Sequence, residues 1–138
     1  MREPIACTVS NYIHLKNSPD PEHKEWMKSV KSFEDFLNLK LIFNWQTRHL
    51  SGQKYYADFV KDQNASLEMA TKNLLRMNFV GITERFKESL LCLSSDLDWK
   101  KLRHKNQNVQ QKNDEAQLLA SKYREQIIDK NQLDIALY

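Results

Sequence analysis

One short apolar stretch decides the fold class of this chain: Asn78-Phe79-Val80-Gly81-Ile82-Thr83. Its length and its β-branched residues predict a buried β-strand, the only convincing strand in the sequence. Thr83 is placed to cap a helix that follows. A strand needs neighbours to satisfy its backbone N–H and C=O groups. The chain therefore either holds further strands or pairs with strands that lie outside this sequence.

Helical periodicity surrounds this stretch on both sides. A helix is predicted from Pro4, which suits a first turn, because apolar residues recur after it at helical spacing: Ile5, Val9, Tyr12 and Ile13. Further helices are predicted over 33–43, from about 65 to 77, and from Phe86 through Leu90, Leu93 and Leu97 to near Trp99. Residues 114–138 are predicted to form two more. Only two Gly and three Pro occur in 138 residues, which disfavours turn-rich all-β architectures. The predicted fold is a single domain over 1–138, mainly α with one or two short strands.

The polar segments between the helices are predicted as loops. Two prolines interrupt residues 17–24, so a continuous helix is not expected there. Residues 44–52 form a second connector, in which Gly52 suits a positive φ. Ser32 and Asp35 form a capping-box pattern at the start of the predicted helix 33–43.

The composition limits the compartment and the class of partner. A net charge of +3 permits an anionic ligand but does not predict nucleic acid, because basic and acidic residues are mostly interleaved. Cys7 and Cys92 cannot form a disulfide framework, and neither has a ligand-spaced partner for zinc. No stretch approaches 18 apolar residues, and the start of the chain lacks an apolar signal segment. A membrane span is not expected, and a cytoplasmic location is favoured.

Residues 100–113 form a candidate anion site. Several basic residues there are unopposed by any acid: Lys100, Lys101, Arg103, Lys105 and Lys112. The alternative is a solvated polar loop, since charge runs are usually solvated.

Four blocks, in order along the chain, resemble one family. Arg2-Glu3-Pro4 followed by Ser10 and Tyr12 is similar to an Arg-Asp-Pro…Ser-x-Tyr segment. The others are Asn44-Trp45-Gln46-Thr47-Arg48-His49-Leu50-Ser51-Gly52, then Leu74-Leu75 with Phe79-Val80-Gly81-Ile82-Thr83-Glu84-Arg85-Phe86 and Ser89-Leu90, and finally Asn131 to Tyr138. Together they resemble the C-terminal half of sulfotransferases that use 3′-phosphoadenosine-5′-phosphosulfate (PAPS). The resemblance is to the carbohydrate type, similar to heparan sulfate 2-O-sulfotransferase and its bacterial relatives. Residues 17–43 and 53–73 match poorly.

The resemblance implies a fold, a cofactor and a set of binding residues. The fold would be the C-terminal part of an α/β, P-loop-like sulfotransferase, and PAPS or its product adenosine 3′,5′-bisphosphate (PAP) would be the co-substrate, with no metal. Arg2 and Ser10 would contact the 3′-phosphate, joined by Arg103, Lys105 and Asn108 from the basic segment. The reaction would transfer a sulfuryl group to a carbohydrate-type hydroxyl.

Two parts of the family pattern are missing from this sequence. The Lys-rich, Gly/Ser/Thr loop that binds the 5′-phosphosulfate precedes the Arg-Asp-Pro segment in the family, and so usually does the general base. No catalytic residue is assigned here, and His49 is more typical of an exposed loop histidine than of a base. The chain is expected to be inactive alone and to need an N-terminal half or a partner chain that completes the sheet. The alternative function is a non-catalytic helical protein-interaction module.

Overall fold

The computed structural model describes residues 1–53, 56–99 and 114–138. These residues are mainly helical, as the sequence predicts. Their α-helices are Pro4–Asn17 (α1), Pro21–Met27 (α2), Phe33–Phe36 (α3), Trp45–Leu50 (α4), Tyr56–Lys61 (α5), Gln63–Leu75 (α6), Phe86–Asp96 (α7), Asp114–Lys122 (α8), Arg124–Lys130 (α9) and Gln132–Leu137 (α10). Two 3₁₀ turns lie at Lys40–Ile42 and Thr83–Arg85. No described helix is long and apolar enough to cross a membrane.

The predicted apolar face of α1 forms the centre of the core. Ile5, Val9, Tyr12 and Ile13 are buried there, as the spacing predicts. They pack against residues of α3, its C-terminal side and α9: Phe33, Phe36, Leu37 and Ile127. The Tyr12 ring meets Phe33 edge to face at 5.0 Å between centroids, a favourable aromatic geometry. Burying this face fixes the position of α1, whose N-terminus lies beside Gln46 of α4.

Two predicted boundaries are wrong: a helix begins inside the predicted loop 17–24, and the predicted helix 33–43 ends early. The predicted loop over 17–24 gives way to α2 at Pro21, where Asp20 accepts the N–H of Glu22 at 2.8 Å and proline fits the first turn. The predicted helix 33–43 begins with its capping box but stops at Phe36. Phe36 and Ile42 both face the core. In one straight helix their directions would differ by about 120°, so the chain breaks between them.

Two further predictions fail, one at residues 44–52 and one in the C-terminal segment. The connector over 44–52 contains α4, which starts after Asn44 in the left-handed region at φ 48°. Gly52 has the expected positive φ, 79°. The C-terminal segment forms three helices, not two, because the predicted first helix is divided at Tyr123 (φ −109°, ψ 16°) into α8 and α9, while the division at Asn131 falls between the two predicted helices.

The predicted strand at 78–83 is not formed in the described part of the chain, which contains no strand. Residues around Ile82 are extended, with φ −109° and ψ 124°. They lack the neighbouring strands that would turn this conformation into a sheet. Thr83 does not cap a helix either; its hydroxyl donates to the carbonyl of Met1, and α7 begins at Phe86 without a side-chain cap.

A buried carboxylate joins α4 to α10 across the molecule. Asp134 is 2% exposed. Its oxygens accept the backbone N–H of Gln46 at 3.0 Å, the backbone N–H of Thr47 at 2.7 Å and the Thr47 hydroxyl at 2.7 Å. These are free donors at the start of α4, so the carboxylate acts as a cap supplied from 87 residues away.

Asn44 and Asn131 complete this junction in the opposite direction. The Asn44 side chain accepts the backbone N–H groups of Leu133 and Asp134, at the start of α10. The Asn131 side chain accepts the Asn44 N–H at 2.9 Å and donates to the carbonyl of Ile127. Asp134 of α10 therefore caps α4, and Asn44, the residue before α4, caps α10.

We expect Asp134→Ala to lower the free energy of unfolding by about 3 kcal/mol, because buried donors at the start of α4 lose a charged acceptor. Urea denaturation followed by circular dichroism measures this loss. Asp129→Ala, at an exposed position of α9, is the matched control and should change stability by less than about 0.5 kcal/mol. Equal losses in the two variants would contradict the capping role.

Candidate functional site: the N-terminal mouth of α1

The candidate site lies where the chain enters α1, and Gln46 of α4 fixes its position. The Gln46 side chain accepts the backbone N–H of Arg2 at 2.9 Å and donates to the Arg2 carbonyl at 2.7 Å. This two-way amide contact fixes the backbone of Arg2. Because Asp134 holds the Gln46 backbone, Arg2 is tied to the buried junction through a single intermediate residue.

Residues 1 and 81–83 run side by side as backbone strands do. The Met1 nitrogen donates to the Gly81 carbonyl at 2.7 Å, and the Thr83 N–H donates to the Met1 carbonyl at 2.9 Å. A pair of bonds that brackets one residue, here Ile82, is the pattern of a parallel ladder. It is one bridge long and brings together residues that are 80 or more positions apart.

Glu84 contacts the chain at the residue after Arg2. Its carboxylate accepts the backbone N–H of Glu3 at 3.0 Å and the hydroxyl of Tyr138 at 3.2 Å. Arg2 Nε lies 4.0 Å from Glu84 Oε1, which is an ion pair but too long for a hydrogen bond. Residues from all four blocks of the family resemblance therefore meet around Arg2.

The charges at this mouth are mixed. The Arg2 side chain is 38% exposed, yet its Nε atom is buried and makes no hydrogen bond among the described residues. Glu3 caps α1 by accepting the Ala6 N–H at 2.7 Å. Two carboxylates thus take positions near the guanidinium and the helix N–H groups where an anion would bind. An incoming phosphate would have to displace or outcompete Glu84.

Ser10, the second predicted phosphate ligand, is half-buried on α1. It follows Cys7 by three residues, on the side of the helix away from the core residues Ile5 and Tyr12. The helical rise places it about 9 Å along the axis from Pro4. No hydrogen bond or ion pair joins it to Arg2 in the described ranges. Arg103, Lys105 and Asn108 lie outside the described residues.

The polar patch of α4 is used structurally. Thr47 is fully buried and bonded to Asp134. The Arg48 guanidinium carbon lies 5.2 Å from the centre of the Trp45 ring. His49 is exposed, stacks on Trp45 at 4.0 Å between centroids, and its Nδ1 lies 2.8 Å from the Trp45 carbonyl oxygen. The Thr47 bond holds α4 against α10, whereas the Arg48 and His49 contacts with Trp45 lie within α4.

Cys7 lies one turn into α1 beside this site. Burial raises the pKa of the Cys7 thiol to about 11, and the nearby carboxylates of Asp134, Glu84 and Glu3 act in the same direction while Arg2 opposes them. The thiol is therefore protonated near neutral pH and a poor nucleophile. Within the described residues, no cluster of three or more His, Cys, Asp or Glu side chains is arranged to hold a metal ion.

Comparison with known proteins adds no relative. No family model matches the chain, and no curated protein and no solved structure matches it.

Sequence reasoning overlooked the residues that organise the site. Gln46, Glu84, Asn131 and Asp134 all stand inside the quoted blocks, but no role was assigned to them. The available signal was that these polar residues stand within the four quoted blocks. Their partners, however, lie 44 to 90 positions away, which no local pattern shows.

The raised pKa of Cys7 predicts a loss of stability at high pH. The folded state keeps a proton that the unfolded chain releases above about pH 9, so the free energy of unfolding should fall as pH rises from about 9 towards about 11. Urea titrations across this range should show a shallower fall for Cys7→Ala than for the exposed-site control Cys92→Ala. Identical slopes in the two variants would show that Cys7 does not carry the effect.

Proposed function

We propose that this chain is part of a PAPS-dependent sulfotransferase-like domain and contributes half of a nucleotide pocket, with Arg2 binding the 3′-phosphate. The observation that supports the proposal is the meeting of the four resembling blocks around Arg2, although they are spread along the whole chain. Chance similarity of separate short motifs gives no reason for them to meet at one place.

The chemistry of Arg2 suits a phosphate. A guanidinium binds a phosphate through two parallel N–H···O bonds, and its backbone is held here by Gln46, so only the side chain needs to be ordered on binding. The buried Nε has no hydrogen-bond acceptor among the described residues. A phosphate oxygen would supply one, and would replace the long contact with Glu84 by direct bonds.

The other proposed ligands extend the pocket from this anchor. Ser10 would donate its hydroxyl from the exposed side of α1, and Arg103, Lys105 and Asn108 would close over the phosphate. In the complete enzyme the sulfuryl group would pass from PAPS to a carbohydrate-type hydroxyl. The donors needed at the 5′-phosphosulfate and the base belong to sequence outside this chain, from an N-terminal half or a partner chain.

We expect the chain to bind PAP weakly, with a Kd on the order of 1 mM, or about −4 kcal/mol. Arg2→Ala should weaken this binding by about tenfold or more, since a charged hydrogen bond contributes roughly 1.5–3 kcal/mol. Glu84→Gln should tighten it by about threefold, because a competing negative charge is removed. Titration followed by NMR measures both changes, and the shifts should be confined to residues 2–12 and 100–109.

Two matched variants control for general charge effects. Arg124→Ala and Glu125→Gln change the same charges at exposed positions of α9 and should leave the affinity unchanged. If Arg2→Ala and Arg124→Ala lose equal affinity, or if the folded chain shows no shifts, the pocket is absent and the interaction-module alternative gains support.

We also expect no sulfuryl transfer by this chain alone. Charge develops on the bridging oxygen of the leaving nucleotide and must be stabilised by preorganised donors, which the resemblance places in the missing loop. The measurement is turnover of labelled PAPS with a panel of sugar acceptors. Turnover above the uncatalysed rate would refute this part of the proposal.

A further inference from the structure

Glu84 stands beside Arg2 at the place where the proposed function puts a phosphate. Arg2 Nε lies 4.0 Å from Glu84 Oε1, and the two side chains are 38% and 33% exposed, so a ligand from solvent can reach both. A carboxylate repels an anion, so its presence at a phosphate site needs a physical reason. Either Glu84 leaves when the ligand binds, or it takes part in the binding.

The hydrogen bonds of Glu84 favour a carboxylate that stays in place. Its Oε1 accepts the backbone N–H of Glu3 at 3.0 Å, and its Oε2 accepts the hydroxyl of Tyr138 at 3.2 Å. The carboxylate is therefore held between residues near the two ends of the chain. Moving Glu84 away from Arg2 would break both bonds at once.

Each oxygen of the Glu84 carboxylate can accept one more hydrogen bond. A carboxylate oxygen has two lone pairs, of which Glu3 or Tyr138 uses one, and an ionised carboxylate donates no hydrogen bond. Arg2 Nε, by contrast, is a buried donor that has no acceptor among the described residues. An anion that suits both groups must accept from Arg2 and donate to Glu84.

A phosphate monoester can meet both requirements, and a sulfate monoester cannot. The second pKa of a phosphate monoester is near 6, so it can keep one proton close to neutral pH. Its O–H group then donates to a carboxylate while its other oxygens accept from a guanidinium. A sulfate monoester is a strong acid without such a proton, so each of its outer oxygens would face the Glu84 carboxylate as an acceptor.

We propose that Glu84 makes the Arg2 site selective for a phosphate monoester over a sulfate, by accepting the proton of the bound phosphate while Arg2 donates to its other oxygens. This inference rests on the function proposed above and adds a specificity-determining residue to it. PAPS carries its phosphate monoester at the 3′ position and its sulfuryl group at the 5′ end. A site that rejects sulfate would hold the nucleotide in one direction, with the sulfuryl group away from Arg2.

A purely structural ion pair accounts for less of this geometry. A carboxylate that served only to neutralise Arg2 would be expected at direct hydrogen-bonding distance, about 2.7–2.9 Å. The observed separation is 4.0 Å, and each partner is held by other groups, Arg2 through its backbone by Gln46 and Glu84 by Glu3 and Tyr138. The guanidinium and the carboxylate are thus fixed side by side with their direct bond unmade.

The test compares PAP with the analogue that carries sulfate in place of the 3′-phosphate, adenosine 3′-sulfate 5′-phosphate. At pH 5.5 most 3′-phosphate groups keep one proton, so the two groups have the same charge and differ by that proton. In NMR titrations of the full chain we expect PAP to bind at least about tenfold more tightly than the analogue.

Two matched variants assign this selectivity to Glu84. In Glu84→Gln the ratio of affinities should fall to about twofold or less, because an amide both donates and accepts. Glu125→Gln makes the same change at an exposed position of α9 and should keep the ratio of the unmodified chain. A ratio that survives in Glu84→Gln overturns the assignment to Glu84.

The Glu3 amide reports whether Glu84 stays in place, because it donates to Glu84 Oε1. Its hydrogen exchange should be no faster when PAP is bound, whereas exchange at least about tenfold faster would show that Glu84 is displaced and would overturn the proposal. Equal affinity for both ligands, lost for both in Arg2→Ala, overturns the selectivity and leaves the proposed function standing. Binding of neither ligand by the folded chain overturns both.

Discussion

The Asp134 carboxylate is the constraint on which the rest of the described structure depends. It is buried, it has no arginine or lysine ion-pair partner among the described residues, and its charge is balanced by three donors at the start of α4. Hydrogen bonds to a charged group are roughly twice as strong as neutral ones, and the positive end of a helix adds a favourable field. This balance fixes α10 against α4 and so determines the orientation of Gln46.

Outside this junction, hydrogen bonds to backbone groups, rather than apolar packing, position the residues around Arg2. Gln46 holds Arg2, and the residues beside Arg2 pair with Gly81, Thr83 and Glu84. The core on the other face of α1 fixes the direction of the helix, while the polar junction fixes where the chain enters it. A surface near Arg2 is thereby preorganised although it belongs to three distant parts of the sequence.

The sequence was sufficient to predict elements stabilised by their own residues. The helices α1, α6 and α7 follow from apolar spacing, and the capping box at Ser32 follows from adjacent side chains. It was insufficient where a distant group acts: α4 depends on Asp134, which lies 87 residues away. The predicted strand is not formed because, among the described residues, only Met1 pairs with the backbone of residues 81–83. For the site, Arg2 and Ser10 could be named from the resemblance, but the carboxylates of Glu3 and Glu84 beside Arg2 could be placed only by the structure.

The central claim is that the four blocks form one structural unit around Arg2. Native-state hydrogen exchange tests it most directly, because the amides of Arg2, Thr47 and Thr83 each report on a different contact of that unit. The account predicts that the three amides are protected and open together, with the same free energy of opening across increasing denaturant. If Thr47 is protected while Arg2 and Thr83 exchange at the rates of an unfolded chain, the blocks do not form one unit and the account is contradicted.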